Sequence, residues 1–151
     1  MSQRIGVEHN VGGNVATAPL INNLAKAYLL GAEQSEKIER ASWLRKSGRA
    51  CLAALKQSEA CRPVMPEAMC LQGIYEWLRG KPAAARRWWQ KSLVEAERMG
   101  LRYDAGMAHF EMGKRLNERA HLEKAEAIFA EIGAEWDLAR AREALGKNKG
   151  R

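Results

Sequence analysis

Apolar residues recur every three or four positions over most of the chain, the spacing of a helix that buries one face, and this predicts seven helices. Leu20, Leu24, Ala27, Tyr28 and Gly31 mark a first stripe over about 19–32. Ile38, Ala41, Leu44, Gly48, Cys51, Leu52 and Leu55 mark a second over about 35–58. A third helix is expected over 66–79. On a fourth, over 82–99, Ala85, Trp89, Ser92, Leu93 and Ala96 share one sector, while Arg87, Lys91, Val94 and Arg98 lie opposite. A fifth follows over 103–118, and a sixth over 120–132 turns Leu122, Ala125, Ile128, Phe129 and Ile132 inward. The last, over 134–145, aligns Leu138, Ala141 and Leu145. Residues 1–18, with Gly6, Gly12 and Gly13 and no period, read as a flexible leader, and 147–151 as a solvated tail.

The breaks between these stretches carry their own chemistry. Pro19 and Pro82 suit the first turn of a helix, where the missing N–H has no partner to lose. Ser35 is placed to cap the second helix. The run Cys61-Arg62-Pro63-Val64-Met65-Pro66 interrupts helix, because each proline disfavours helical backbone in the residue before it. Gly100 and Gly133 read as terminators that accept left-handed backbone. Gly48 is expected to let the first two helices approach closely, so that 19–60 forms an antiparallel hairpin.

From Met69 to Phe129 one pattern occurs twice at an offset of forty residues. Gly73, Ala85 and Trp89 answer to Gly113, Ala125 and Phe129, and Ala68/Ala108 and Arg79/Arg119 are identical pairs. Each copy reads as a hairpin whose first helix carries a glycine and whose second carries a small residue followed, one turn later, by a ring. This order resembles the tetratricopeptide repeat (TPR). The resemblance implies an all-α, right-handed alpha-alpha superhelix: a diverged hairpin at 19–60, repeat-like hairpins at 66–100 and 101–133, and a capping helix at 134–146 that covers the last apolar face. The long period and the closing segment are similar to the C-terminal arrays of bacterial signal-transduction ATPases and ATPase-coupled adenylate cyclases, in which the array senses or docks a partner.

Function follows from that resemblance more than from any motif. The inner groove of such a stack is lined by the first helix of each hairpin, which implicates Cys70, Ile74 and Trp77 from one copy and Phe110, Lys114 and Asn117 from the other in binding a protein or peptide partner. Trp77 and Phe110 are the candidate anchors, against the alternative, favoured for rings at helical spacing, that both pack on a neighbouring helix. The net charge of +7 raises a second reading, RNA binding, with Arg87, Lys91 and Arg98 as a candidate anion-binding face and Trp88 as a stacking surface. Acidic residues interleave with these bases, which favours a solvated helix face. A third reading is a detached part of a signalling enzyme, and self-association through the first hairpin is a further expectation.

No catalytic signature stands out. His9, His109 and His121 lack metal-ligand spacing, and no GxSxG or phosphate loop occurs, so neither an enzyme nor a bound cofactor or metal is expected. Cys51, Cys61 and Cys70 are an odd set without CxxC spacing and read as thiols in a reducing, cytoplasmic setting. No apolar run approaches the roughly eighteen residues of a membrane span.

Overall fold

In the computed structural model, which describes residues 17–148, the backbone forms seven α-helices: α1 (Ala18–Gln34), α2 (Lys37–Ser58), α3 (Met65–Leu78), α4 (Pro82–Met99), α5 (Arg102–Leu116), α6 (Arg119–Ile132) and α7 (Glu135–Lys147). A 3-10 turn at Arg62–Val64 occupies the proline-rich break, and no strand occurs among the described residues. The leader expected at 1–18 lies outside the described residues up to position 16, as do His9 and positions 149–151 of the tail; Ala18 and Lys147 belong to helices.

Four helices end by the same device. The residue after α3, α4, α5 or α6 that turns the chain is left-handed: Gly80, Gly100, Asn117 and Gly133. The next N–H then bonds back to a carbonyl five residues earlier, Lys81 to Glu76 (2.9 Å), Leu101 to Ala96 (2.9 Å), Glu118 to Gly113 (3.0 Å) and Ala134 to Phe129 (2.9 Å). This closure satisfies carbonyls that a helix end leaves open. Asn117 does the work of a glycine because its short amide side chain tolerates positive φ. Ser35 does not cap α2: Glu36 is the N-cap residue, no side chain caps it, and the Ser35 N–H closes α1 on Gly31.

Contacts between side chains fix the packing. Ser92 and Trp89 of α4 donate to the carbonyls of Pro66 and Cys70 on α3, so these helices run antiparallel. Phe129 and Leu122 of α6 lie against Gly106 and Gly113 of α5 in the same sense. By contrast α1 and α3 run the same way, since Asn22 bonds Glu67 while Leu29 packs with Leu71 further along both helices. Four apolar clusters follow, of which a small one, Ala96, Ala105 and Ile128, joins α4 to the hairpin after it. The other three each join one hairpin to the helix after it: Ala25, Leu29, Cys51 and Leu71 across α1, α2 and α3; Cys70, Ala85, Trp89 and Met112 across α3, α4 and α5; Phe110, Leu122, Phe129, Leu138 and Leu145 across α5, α6 and α7. Removing a side chain such as Phe129 from water contributes about 1.5–3 kcal/mol.

Several expected inward residues face out. Leu20, Leu24 and Ala27 are exposed, and α1 instead buries Ala18, Asn22, Ala25, Leu29 and Ala32. Two stripes of similar period run along α1, and the one with more small residues wins because it lets α2 and α3 approach. Ile38 (94% exposed), Ala41 and Leu52 also face solvent, as does Ile132. Gly48 serves α3, not α1: a Cβ there would meet the Tyr75 ring, while Gly31 receives Trp43 of α2.

The forty-residue offset is matched in burial but not in partners. Ala68, Ala85, Trp89, Ala108, Ala125 and Phe129 are all fully buried. Yet Trp89 covers Gly73, whereas Gly113 is covered by Leu122 and Phe129 sits over Gly106. The left-handed turn residues Gly80 and Asn117 lie closer together than the forty-residue offset, so α6 pairs with α5 in a different register. Arg79/Arg119 is a coincidence of sequence, since Arg79 follows α3 and Arg119 opens α6.

Candidate functional site

The parallel helices α1, α3 and α5 present one side to solvent, and α7 closes it at the C-terminal end. Between them lies a cavity of about 230 Å³ with walls of Cys70, Leu71, Ile74 and Met107. Trp136, 71% exposed, borders it from α7. The Arg140 guanidinium, one turn on, stacks between the Phe110 and Trp136 rings at 4.6 and 4.4 Å and donates to Asp137 at 3.0 Å. Stacking of this kind holds a planar cation at an apolar surface without removing its charge.

The cavity lining also carries two carboxylates. Glu67 forms an ion pair with Lys26 and accepts a hydrogen bond from Nδ2 of the fully buried Asn22 at 2.6 Å. Asp104, in the first turn of α5, has no hydrogen-bond or ion-pair partner among the described residues. Burial, and then the neighbouring Glu67 carboxylate, push its pKa up to about 6. Tyr103 beside it is raised to about 12 by burial and by Asp137. Burial drives the Cys70 thiol well above its ordinary value and Cys51 to about 12, so neither is a nucleophile at neutral pH.

A second hollow of about 230 Å³ adjoins the first, sharing Lys26, Leu71, Ile74 and Arg140 and adding Leu29 and Leu30 of α1. Its polar side is an ion cluster. Arg115 bonds Glu111 at 2.5 Å and Glu33 at 3.0 Å, with the Arg115 and Glu111 side chains only 7% and 5% exposed. Burial opposes the Arg115 charge, but the two carboxylates outweigh it and hold its pKa above the ordinary value. A third hollow, about 510 Å³, continues past Lys114 and Asn117 towards Glu143 and Lys147 of α7. The shared residues make the three hollows one groove.

The groove sorts the expected partner residues. Ile74 borders two hollows, Cys70 forms a wall of the first, and Lys114 and Asn117 edge the third. Trp77 is not among the groove residues; its ring packs on Trp89 at 6.3 Å. Phe110 is 2% exposed beneath Arg140 and belongs to the core with Leu122 and Phe129, so it is no free anchor. The structural positions Gly73, Ala85, Trp89, Gly113, Ala125 and Phe129 are all buried. Lys26, Glu67, Asp104, Trp136 and Arg140 were missed. Trp136 alone left a signal, as the large apolar residue that the Leu138–Ala141–Leu145 stripe does not accommodate.

The basic face lies elsewhere, on the outer side of α4. Arg87 and Lys91 edge a shallow apolar hollow with Met69 and Val94, and Lys91 sits 4.8 Å from the Trp88 ring. Arg98 is held by Glu95 through bonds of 3.2 and 2.7 Å. Between α5 and α6, His109 and His121 face each other through Nδ1 atoms 2.7 Å apart. Burial, then His121, lowers the His109 pKa to about 4, so at neutral pH both rings are uncharged and one N–H donates to the other. No helix among the described residues is long and apolar enough to cross a membrane. Comparison with known proteins finds no matching family model, no matching curated protein and no matching solved structure.

Proposed function

We propose that the chain is a protein-recognition module that lays a segment of a partner protein along the groove of α1, α3, α5 and α7, on a TPR-like right-handed superhelix. The observation that carries this reading is the pairing of an exposed Trp136 with a cavity of apolar walls and two lining carboxylates. Pockets with apolar walls and a few convergent polar groups are the usual form of a binding site, and aromatic side chains dominate interface energetics. The shared helix terminators and three-helix clusters support a stack of hairpins. The cytoplasm suits the three free cysteines, and the resemblance to signalling arrays suits docking without chemistry of its own. RNA binding is less favoured, because Arg98 is already neutralised by Glu95.

Selection of peptides from a random library on the intact chain tests the proposal. Enriched peptides are expected to lose at least about tenfold in affinity on Trp136→Ala, a loss of about 1.4 kcal/mol, and to be indifferent to Val94→Ala on the outer face. Both residues are exposed, so neither change disturbs the core. Enriched peptides that ignore Trp136→Ala but respond to Val94→Ala would place recognition on α4 and reject the groove.

A further inference from the structure

The charge balance around the first cavity is uneven. Two carboxylates, Glu67 and Asp104, meet one ammonium, Lys26, and that ammonium is already engaged by Glu67. Arg140 cannot supply the difference, since it is held by Asp137 and sandwiched between Phe110 and Trp136. Asp104 therefore feels only the Lys26 charge that Glu67 already pairs, and it forms no ion pair or hydrogen bond of its own among the described residues beside walls of Ile74 and Met107. A carboxylate withdrawn from water without a partner is costly, and its elevated pKa expresses that cost.

The size of the cavity limits its occupant. Pockets for drug-sized ligands span roughly 300–1,000 Å³, so this stretch of the continuous groove, about 230 Å³, has room for one side chain of a segment that lies along it. Its lining specifies that side chain: apolar walls together with an unmatched negative charge. Lysine has this form, with four methylenes below a compact ammonium that offers three donors.

Resting on the groove reading above, we propose that the cavity between α1, α3, α5 and α7 is a specificity pocket for a basic side chain of the partner, lysine above all, whose stem lies on Ile74 and Met107 and whose ammonium pairs with Asp104. The pocket then discriminates by charge: an acidic side chain meets Glu67 and Asp104 and is rejected, while an apolar chain of equal length leaves Asp104 buried and unpaired. Trp136 contributes apolar area at the opening, and Lys26 keeps Glu67 neutralised so that the incoming cation is directed to Asp104.

The test uses three small probes on the isotopically labelled full chain: the N-acetyl methylamides of lysine, norleucine and glutamate, followed by amide and indole chemical-shift titration at pH 7.5. The lysine probe is expected to shift the Trp136 indole and the amides near Asp104 and Met107, with an affinity about tenfold above the norleucine probe, the worth of one charge-assisted contact. Asp104→Asn should erase that preference while leaving the dispersed spectrum intact, since it breaks no direct ion pair or hydrogen bond among the described residues. Equal shifts from lysine and norleucine would overturn the cationic specificity while leaving the groove itself in place. Preference for the glutamate probe, or no response to any probe, would also overturn it, and the peptide selection with Trp136→Ala would then decide the groove independently.

Discussion

Gly73→Ala isolates the contact on which the middle hairpin is built. A Cβ at position 73 would lie 2.6 Å from Cδ1 and 2.9 Å from Cε2 of Trp89, with Nε1 closer still, distances that real methyl groups do not tolerate. Trp89 has no room to yield: it is fully buried, its indole N–H donates to the Cys70 carbonyl at 3.2 Å, and Trp77 and Met112 pack around it. Helix propensity favours the alanine by about 1 kcal/mol. Against that stand about 1–3 kcal/mol for overpacking and about 1 kcal/mol for the displaced hydrogen bond, giving a net destabilisation of about 1–3 kcal/mol. Urea unfolding of the intact chain reads this as a lower midpoint at unchanged slope. Trp89→Phe removes the pyrrole edge that collides, so the double variant should recover part of the loss as a coupling energy. Gly80→Ala is the control. Nothing lies within 4 Å of its Cβ, its cost arises from φ of +75°, and Trp89→Phe should not rescue it. A Gly73→Ala midpoint above that of the wild type would refute the reasoning, since it would mean that the indole is free to move.

Other outcomes follow from the same contacts. Phe129→Ala empties a fully buried ring site between α5, α6 and α7 and should cost about 3–5 kcal/mol in denaturant unfolding. Arg115→Met strands the buried Glu111 carboxylate and should cost about 3–5 kcal/mol, whereas adding Glu111→Gln should recover most of it. Acid should weaken the fold through His109. Its folded pKa of about 4 lies below the unfolded value of about 6.5, so stability is full above that value and declines as the pH falls towards 4. Asp104 acts in the opposite sense. Its folded pKa of about 6 exceeds the unfolded value of about 3.9, so stability declines as the pH rises through that interval. Asp104→Asn should therefore raise stability at pH 7 by about 1–2 kcal/mol, discounted for partial solvation, and steepen the loss on acidification; thermal unfolding between pH 4 and 7 checks both.

The helices were legible in the sequence because their causes are local. Apolar spacing near 3.6 residues, prolines at 19, 66 and 82, and glycines at 80, 100 and 133 act within a turn or two of where they stand. Which face each helix buries was legible only where one stripe was much the more apolar, as with Leu122, Ala125 and Phe129 on α6. On α1, two stripes competed, and the close approach of α2 and α3 decided for Ala25 and Ala32 over Leu20 and Leu24.

The chain by itself thus determined an all-helical protein, the limits of its helices to within a few residues, and the small and aromatic positions that pack its hairpins. Only the tertiary structure placed Trp89 over Gly73 but Phe129 over Gly106, covered Phe110 with Arg140, and brought Lys26, Glu67, Asp104 and Trp136 around one cavity. The physical reason is range. Hydrogen bonds and steric limits along the backbone act between near neighbours, whereas a pocket collects residues from four helices whose register depends on every side chain packed between them.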